Sequence, residues 1–128
     1  MKFGYTILYV QNVSESVAFY EKAFGLRQRF IHESNQYAEL ETGGTTLAFT
    51  AIELAQSNLP EGFLPNSRSN PPAGIEIGFA SEDVSAAFEQ AIQAGAVSVV
   101  EPKVKPWGQT VAYVRDLDGV LIEICSPI

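Results

Sequence analysis

The feature that most constrains this chain is that its second half repeats the order of its first. After Met1, the stretch Phe3 to Val10 is rich in Tyr, Ile, Leu and Val and predicts a strand. Asn12-Val13-Ser14 follows, with side-chain oxygens suited to capping a helix. Val13, Val17, Tyr20 and Phe24 then recur at helical spacing, and Gly25 stops the run. Leu26 to Ile31, Gln36 to Glu41 and Thr45 to Ala51 predict three more strands, with Thr42-Gly43-Gly44 as a hairpin turn. The order then returns. Gly74 to Ala80 is strand-like, Glu82-Asp83 offers a cap, Val84, Phe88, Ala91 and Ile92 share a helix face, and Gly95 ends it. Val97 to Val100, Thr110 to Val114 and Val120 to Cys125 supply the last strands, with Asp116-Leu117-Asp118-Gly119 as the closing turn. A period of about 70 residues met twice is too long for a solenoid. It predicts an α+β fold of two βαβββ modules, residues 1–52 and 74–128, within a single domain.

Residues 53–73 join the modules. Pro60, Pro65, Pro71 and Pro72 stiffen this crossover, which shows no periodicity of its own. A loop of that length is either a linker or a lid over a site, and Leu59, Phe63 and Leu64 lean toward a segment that packs on something.

Composition narrows the function classes. The 128 residues are 46% hydrophobic and 18% charged, which suits a globular domain and argues against disorder. Eight Lys and Arg against fifteen Asp and Glu give a net charge of −7, so a phosphate backbone or an anionic membrane is repelled. The apolar start is short and reads as a strand, not as a signal peptide or a membrane span. Cys125 is the single cysteine, so neither an intrachain disulfide nor a thiolate zinc site is available. The expectation is a cytoplasmic protein with a small-molecule partner. There is no GxGxxG, phosphate loop, GxSxG or HExxH, which disfavours nucleotide-dependent hydride transfer and serine hydrolysis.

The candidate chemistry rests on a few side chains. In the last strand, alternation puts Leu121, Glu123 and Cys125 on one face and Val120, Ile122 and Ile124 on the other, the second facing the helices. Glu123 is either a pocket carboxylate or a strand-face residue in solvent or in an ion pair. Glu76 has Gly78 beside it on its own face, leaving room for a ligand. If Glu76 and Glu123 share one surface, their repulsion raises one pKa, and the pair can act as acid and base or attract a cation. Otherwise they face different halves and never meet. Tyr5, Trp107 and Tyr113 are candidate aromatic walls; core or subunit contacts are the alternative, least so for Trp107 between Pro106 and Gly108. His32 is the only histidine, either a general base or incidental to a turn. Cys125 reads as a small apolar residue, and Lys103 and Lys105 either meet an anion or are solvated.

The segment Tyr9-Val10-Gln11-Asn12-Val13-Ser14-Glu15-Ser16-Val17-Ala18-Phe19-Tyr20, with Phe24-Gly25-Leu26, resembles the opening of the vicinal-oxygen-chelate superfamily. Its members include glyoxalase I, bleomycin-resistance proteins and extradiol dioxygenases. Asp116-Leu117-Asp118-Gly119-Val120-Leu121-Ile122-Glu123 resembles the superfamily's closing turn and last strand, and Pro106-Trp107-Gly108 its approach to that turn. The resemblance implies curved mixed sheets around a ligand cleft and a homodimer that completes the cleft. It also implies glyoxalase-type metal-ligand positions at Tyr5, Ala48, Glu76 and Glu123, of which only Glu123 keeps the expected residue type. A catalytic zinc site usually needs three ligands with imidazole among them. The expected reading is therefore a metal-poor binder of a polar or cationic aromatic ligand, with no cofactor beyond a weakly held divalent metal. The alternative is a glyoxalase-like lyase in which Glu123 and Glu76 hold that metal or act as acid and base.

Overall fold

In a computed structural model describing residues 1–128, the repeat becomes two four-stranded sheets of the same topology. The first module runs β1 (Tyr5–Val10), α1 (Val13–Phe24), β2 (Arg27–Ile31), β3 (Tyr37–Glu41) and β4 (Thr46–Ala51). A further helix, α2 (Ile52–Asn58), follows. The second module runs β5 (Glu76–Ala80), α3 (Val84–Ala94), β6 (Val97–Val104), β7 (Thr110–Arg115) and β8 (Leu121–Cys125). Strand orders are β1-β4-β3-β2 and β5-β8-β7-β6. In each sheet the module's first strand pairs parallel with its last and the remaining neighbours are antiparallel. The α+β architecture of two βαβββ modules is as expected, and neither sheet closes on itself.

The chain divides into two compact units. One comprises Met1–Glu21 and Gly25–Pro65; the other comprises Asn66–Ile128 together with Lys22–Phe24 from the end of α1. In the first unit, Val13, Val17 and Tyr20 of α1 are buried with Leu8, Val10, Leu40 and Phe49 of the sheet. The Tyr20 ring meets Phe49 at 4.9 Å between centroids. In the second, Val84, Phe88 and Ala91 of α3 are buried with Ala112, Val114, Ile122 and Ile124. Helices α1 and α3 thus each cover one face of their sheet, as strand alternation requires.

Local chemistry explains the helix ends. The Asn12 Oδ1 accepts from the Glu15 amide at 3.0 Å, and the Asp83 carboxylate accepts from the Ala86 amide at 3.0 Å. Both helices stop at a glycine in the left-handed region, Gly25 and Gly95.

Two departures concern the irregular parts. The crossover holds a third helix, α2, in which only Ala55 is buried, so seven residues give no readable stripe. Its Phe63 packs edge-on against Tyr9 at 4.8 Å, while Leu64 stands 97% exposed. Strand β6 extends to Val104, past the expected end at Val100. The cause is a register shift between Val100 and Lys103, which accommodates Glu101 and Pro102 in a strand at the sheet edge.

Candidate functional site

The helix-free face of the second sheet gathers most of the expected chemistry. Glu123 of β8 stands opposite Tyr113 of β7 and opposite Gly78 of β5, two residues beyond Glu76. The Tyr113 phenol donates to the Glu123 Oε2 at 2.9 Å. The Glu76 and Glu123 carboxyls are close enough to influence one another's protonation, and Cys125 is close enough to Glu123 to do the same.

Their electrostatics are unequal. The Glu76 carboxyl is held above the usual carboxylate range, first by partial loss of water and then by the hydrogen bond and charge of Glu123. For Glu123, partial burial favours the neutral acid. It is outweighed by hydrogen bonds from Glu76, Tyr113 and Cys125 and by the positive charge of Lys105, so its pKa falls. One carboxyl keeps its proton longer and the other gives it up sooner. Burial and the hydrogen bond to Glu123 push Tyr113 up to about 12, and the same two influences raise the Cys125 thiol. Cys125 is half-buried beside the pair, and loss of water is the larger influence on its thiol. Lys105, read as either anion-greeting or solvated, favours the Glu123 charge.

The first sheet carries a different arrangement on its corresponding face. The Tyr37 phenol donates to the Glu39 Oε2 at 2.8 Å. Arg29 then ties Glu39 and Glu41 together: its Nη1 donates to the Glu39 Oε1 at 3.0 Å and its Nε to the Glu41 Oε1 at 2.9 Å. Nη1 also reaches the Thr46 hydroxyl at 3.1 Å. Partial burial and Glu39 push Tyr37 up to about 12. Both sheets thus have a phenol–carboxylate pair, but only the first neutralises it with a guanidinium. Sequence reading passed over this network because its members lie on three strands and no short motif joins them.

Among the other expected site residues, His32 and Trp107 have partners of their own. Tyr5 belongs to the first sheet, 57% exposed, near enough to Tyr37 to influence it electrostatically. His32 sits in the turn after β2, where its Nδ1 pairs with the Ser34 hydroxyl at 2.8 Å and accepts from the Ser34 amide. Trp107, 66% exposed, lies in the β6–β7 turn and donates to Gln109 at 2.9 Å. A shallow recess lined by Ser85, Phe88, Glu89, Glu101 and Pro102 contains none of these residues.

The donor set does not fit the metal that the resemblance implies. No group of three or more His, Cys, Asp or Glu side chains is arranged to hold an ion. Ala48, at one of the four positions, is fully buried and brings no donor atom. Glu123 already accepts from Tyr113.

A family model described as a glyoxalase-like domain matches residues 3–128. The chain belongs to the glyoxalase-like domain family. Solved structures of similar shape share its fold. A glyoxalase-related enzyme from Fulvimarina pelagi superimposes with a TM-score of 0.83 at 20% identity, covering 97% of this chain and 86% of that one. A glyoxalase/bleomycin resistance protein/dioxygenase family enzyme from Burkholderia phytofirmans PsJN gives 0.75 at 19% identity, covering 100% of both chains. A superfamily member from Sphaerobacter thermophilus DSM 20745 gives 0.71 at 16%, covering 99% and 98%. At these identities the likeness speaks for the fold alone. Comparison with curated proteins gives no match. Within this glyoxalase-like chain no helix is long and apolar enough to cross a membrane.

Proposed function

We propose that this glyoxalase-like protein binds a polar or cationic aromatic small molecule on the open face of its second sheet, without a tightly held catalytic metal. The observation that carries the reading is the Tyr113–Glu123 hydrogen bond with Glu76 beside it. It leaves one carboxylate charged, held in place and unpaired with any guanidinium, next to an aromatic ring. Such a group favours a positively charged or hydrogen-donating ligand. The Arg29-neutralised face of the first sheet lacks that preference. Trp107 and Tyr5 are further candidates for ligand contact. The reading includes a cytoplasmic homodimer, as the resemblance implies.

The test is equilibrium binding of proflavine, a planar aromatic cation, against an uncharged aromatic of similar size. Proflavine binds more tightly, and Glu123→Gln weakens it by about tenfold, the equivalent of one charge-assisted hydrogen bond. Equal affinity for the two probes, or one Ni, Zn, Mn or Fe per purified chain, overturns the reading.

The opposite pKa shifts of Glu76 and Glu123 favour a second reading: a glyoxalase-like lyase in which the two act as acid and base. Turnover of a methylglyoxal–thiol adduct supports it, and absence of turnover with or without added divalent metal removes it.

A further inference from the structure

The second half of the crossover is fastened to the second sheet by two arginines that donate only to main-chain carbonyls. The Arg115 Nε donates to the Gly119 carbonyl at 2.9 Å and its Nη2 to the Ser67 carbonyl at 2.9 Å. Its Nη1 reaches the Arg68 carbonyl at 3.4 Å. Arg68 points the other way, with Nε on the Asp116 carbonyl at 2.9 Å and Nη2 on the Gly95 carbonyl at 2.7 Å. The Ser67 carbonyl also accepts from the Asn70 amide at 3.2 Å. A rigid planar fork serves this purpose better than an ammonium, because its donors diverge in fixed directions.

The anchor point is the β7–β8 turn, which is itself over-determined. The Asp116 carboxylate is buried and accepts from the Asp118 and Val120 amides, both at 2.9 Å. Gly119 has φ +90, and a Cβ there would stand 2.7 Å from the Ser67 carbonyl carbon and 2.7 Å from the Arg115 Nη2. The strap can approach the turn this closely only because that side chain is missing.

Between Arg68 and Glu76 the chain passes through Pro71 and Pro72, whose φ angles are fixed by their rings. Ile75 then donates to the Ala73 carbonyl at 2.8 Å immediately before β5 begins at Glu76. Strand β5 lies at the sheet edge and pairs only with β8. Where the strap is held therefore helps decide where β5 starts, and its first residue is one of the two site glutamates.

We propose that Arg115 and Arg68 are positioning residues for Glu76, acting through the strap of residues 66–73. Arg115 itself leaves β7 two residues after Tyr113. The turn that closes the Tyr113–Glu123 pair thus also sets the Glu76 side of the site. This inference rests on the binding reading for its functional consequence, though not for its structural one.

Two measurements test it on the full chain. The first is amide hydrogen exchange read by peptide mass in wild type, Arg115→Ala, Arg68→Ala and Gly119→Ala. Exchange in residues 66–77 rises about tenfold or more while the β7–β8 ladder around Tyr113 and Glu123 stays protected. Release of the strap with β5 still protected overturns the proposal. So does a uniform rise across the sheet in Arg68→Ala, the variant that keeps the Arg115 half of the clamp. The second is proflavine affinity in a cycle of Arg115→Ala with Glu76→Gln. Arg115→Ala alone shifts affinity several-fold and shifts it no further once Glu76 is Gln; an equal shift in both backgrounds overturns the proposal. If wild type binds no proflavine, the binding reading fails while the exchange experiment still decides the positioning role.

Discussion

Tyr113 and Glu123 face each other across the β7–β8 ladder, and the phenol of one donates to the carboxylate of the other at 2.9 Å. The pair belongs to two strands that any βαβββ module has, yet its chemistry comes from register. A shift of one residue would turn Glu123 into the core and Ile122 and Ile124 out of it.

Tyr113→Phe removes that donor and little else. It costs Glu123 about 1 kcal/mol of hydrogen-bond support, equivalent to about fivefold in the affinity for a cationic probe. Fluorescence titration of proflavine measures this directly. Thermal unfolding of the variant stays close to wild type, because Tyr113 is only half-buried.

Stability should respond to pH in opposite senses at the two glutamates. The folded pKa of Glu76 is raised, so its contribution is present below the ordinary carboxylate range and is lost as pH rises through the folded value. The folded pKa of Glu123 is lowered, so its contribution is present above that range and is lost as pH falls. Glu76→Gln therefore raises Tm at pH 7 and leaves it nearly unchanged at pH 3. Glu123→Gln lowers Tm at pH 7 and does little at pH 3. Melting curves of both variants at the two pH values check the signs.

Tyr37 and Tyr113 each donate to a carboxylate, and both should ionise late. Tyr37 and Tyr113 titrate near 12 against an ordinary value of 10. Alkaline difference absorption shows this as a delayed fraction of the phenolate signal. Tyr37→Phe and Tyr113→Phe each remove part of the delayed fraction.

The core carries most of the stability, and Ile122 marks its centre in the second unit. It is fully buried, one residue from Glu123 and on the opposite face. Ile122→Ala costs about 2–5 kcal/mol. Urea unfolding measures the loss, with the slope of the transition unchanged.

The modules, their order and their faces were legible because alternation and helical spacing are local. Ile122 and Ile124 are buried while Leu121, Glu123 and Cys125 stay half-buried, as alternation predicts. Asn12, Asp83, Gly25 and Gly95 marked the helix ends for equally local reasons. The site was legible only in part. Glu76, Glu123 and Tyr113 were singled out one by one, but their meeting depends on which strands lie side by side. Arg29 with Glu39 and Glu41, Lys105 near Glu123, and the clamp of Arg115 on Ser67 all join residues far apart in the chain. No periodicity encodes such pairs. Helix α2 escaped because a seven-residue helix burying one alanine leaves no pattern to read.

Gly78 lies opposite Glu123 in the parallel β5–β8 pair, and a Cβ placed there would meet no atom within 4 Å. The protein therefore keeps headroom beside the Glu123 carboxylate that its own packing does not require. A methyl or isopropyl group at that position would intrude on a guest rather than on the host. Under the proposed binding of a cation at Glu123, enlarging position 78 excludes broad ring systems first and leaves small cations able to reach the carboxylate.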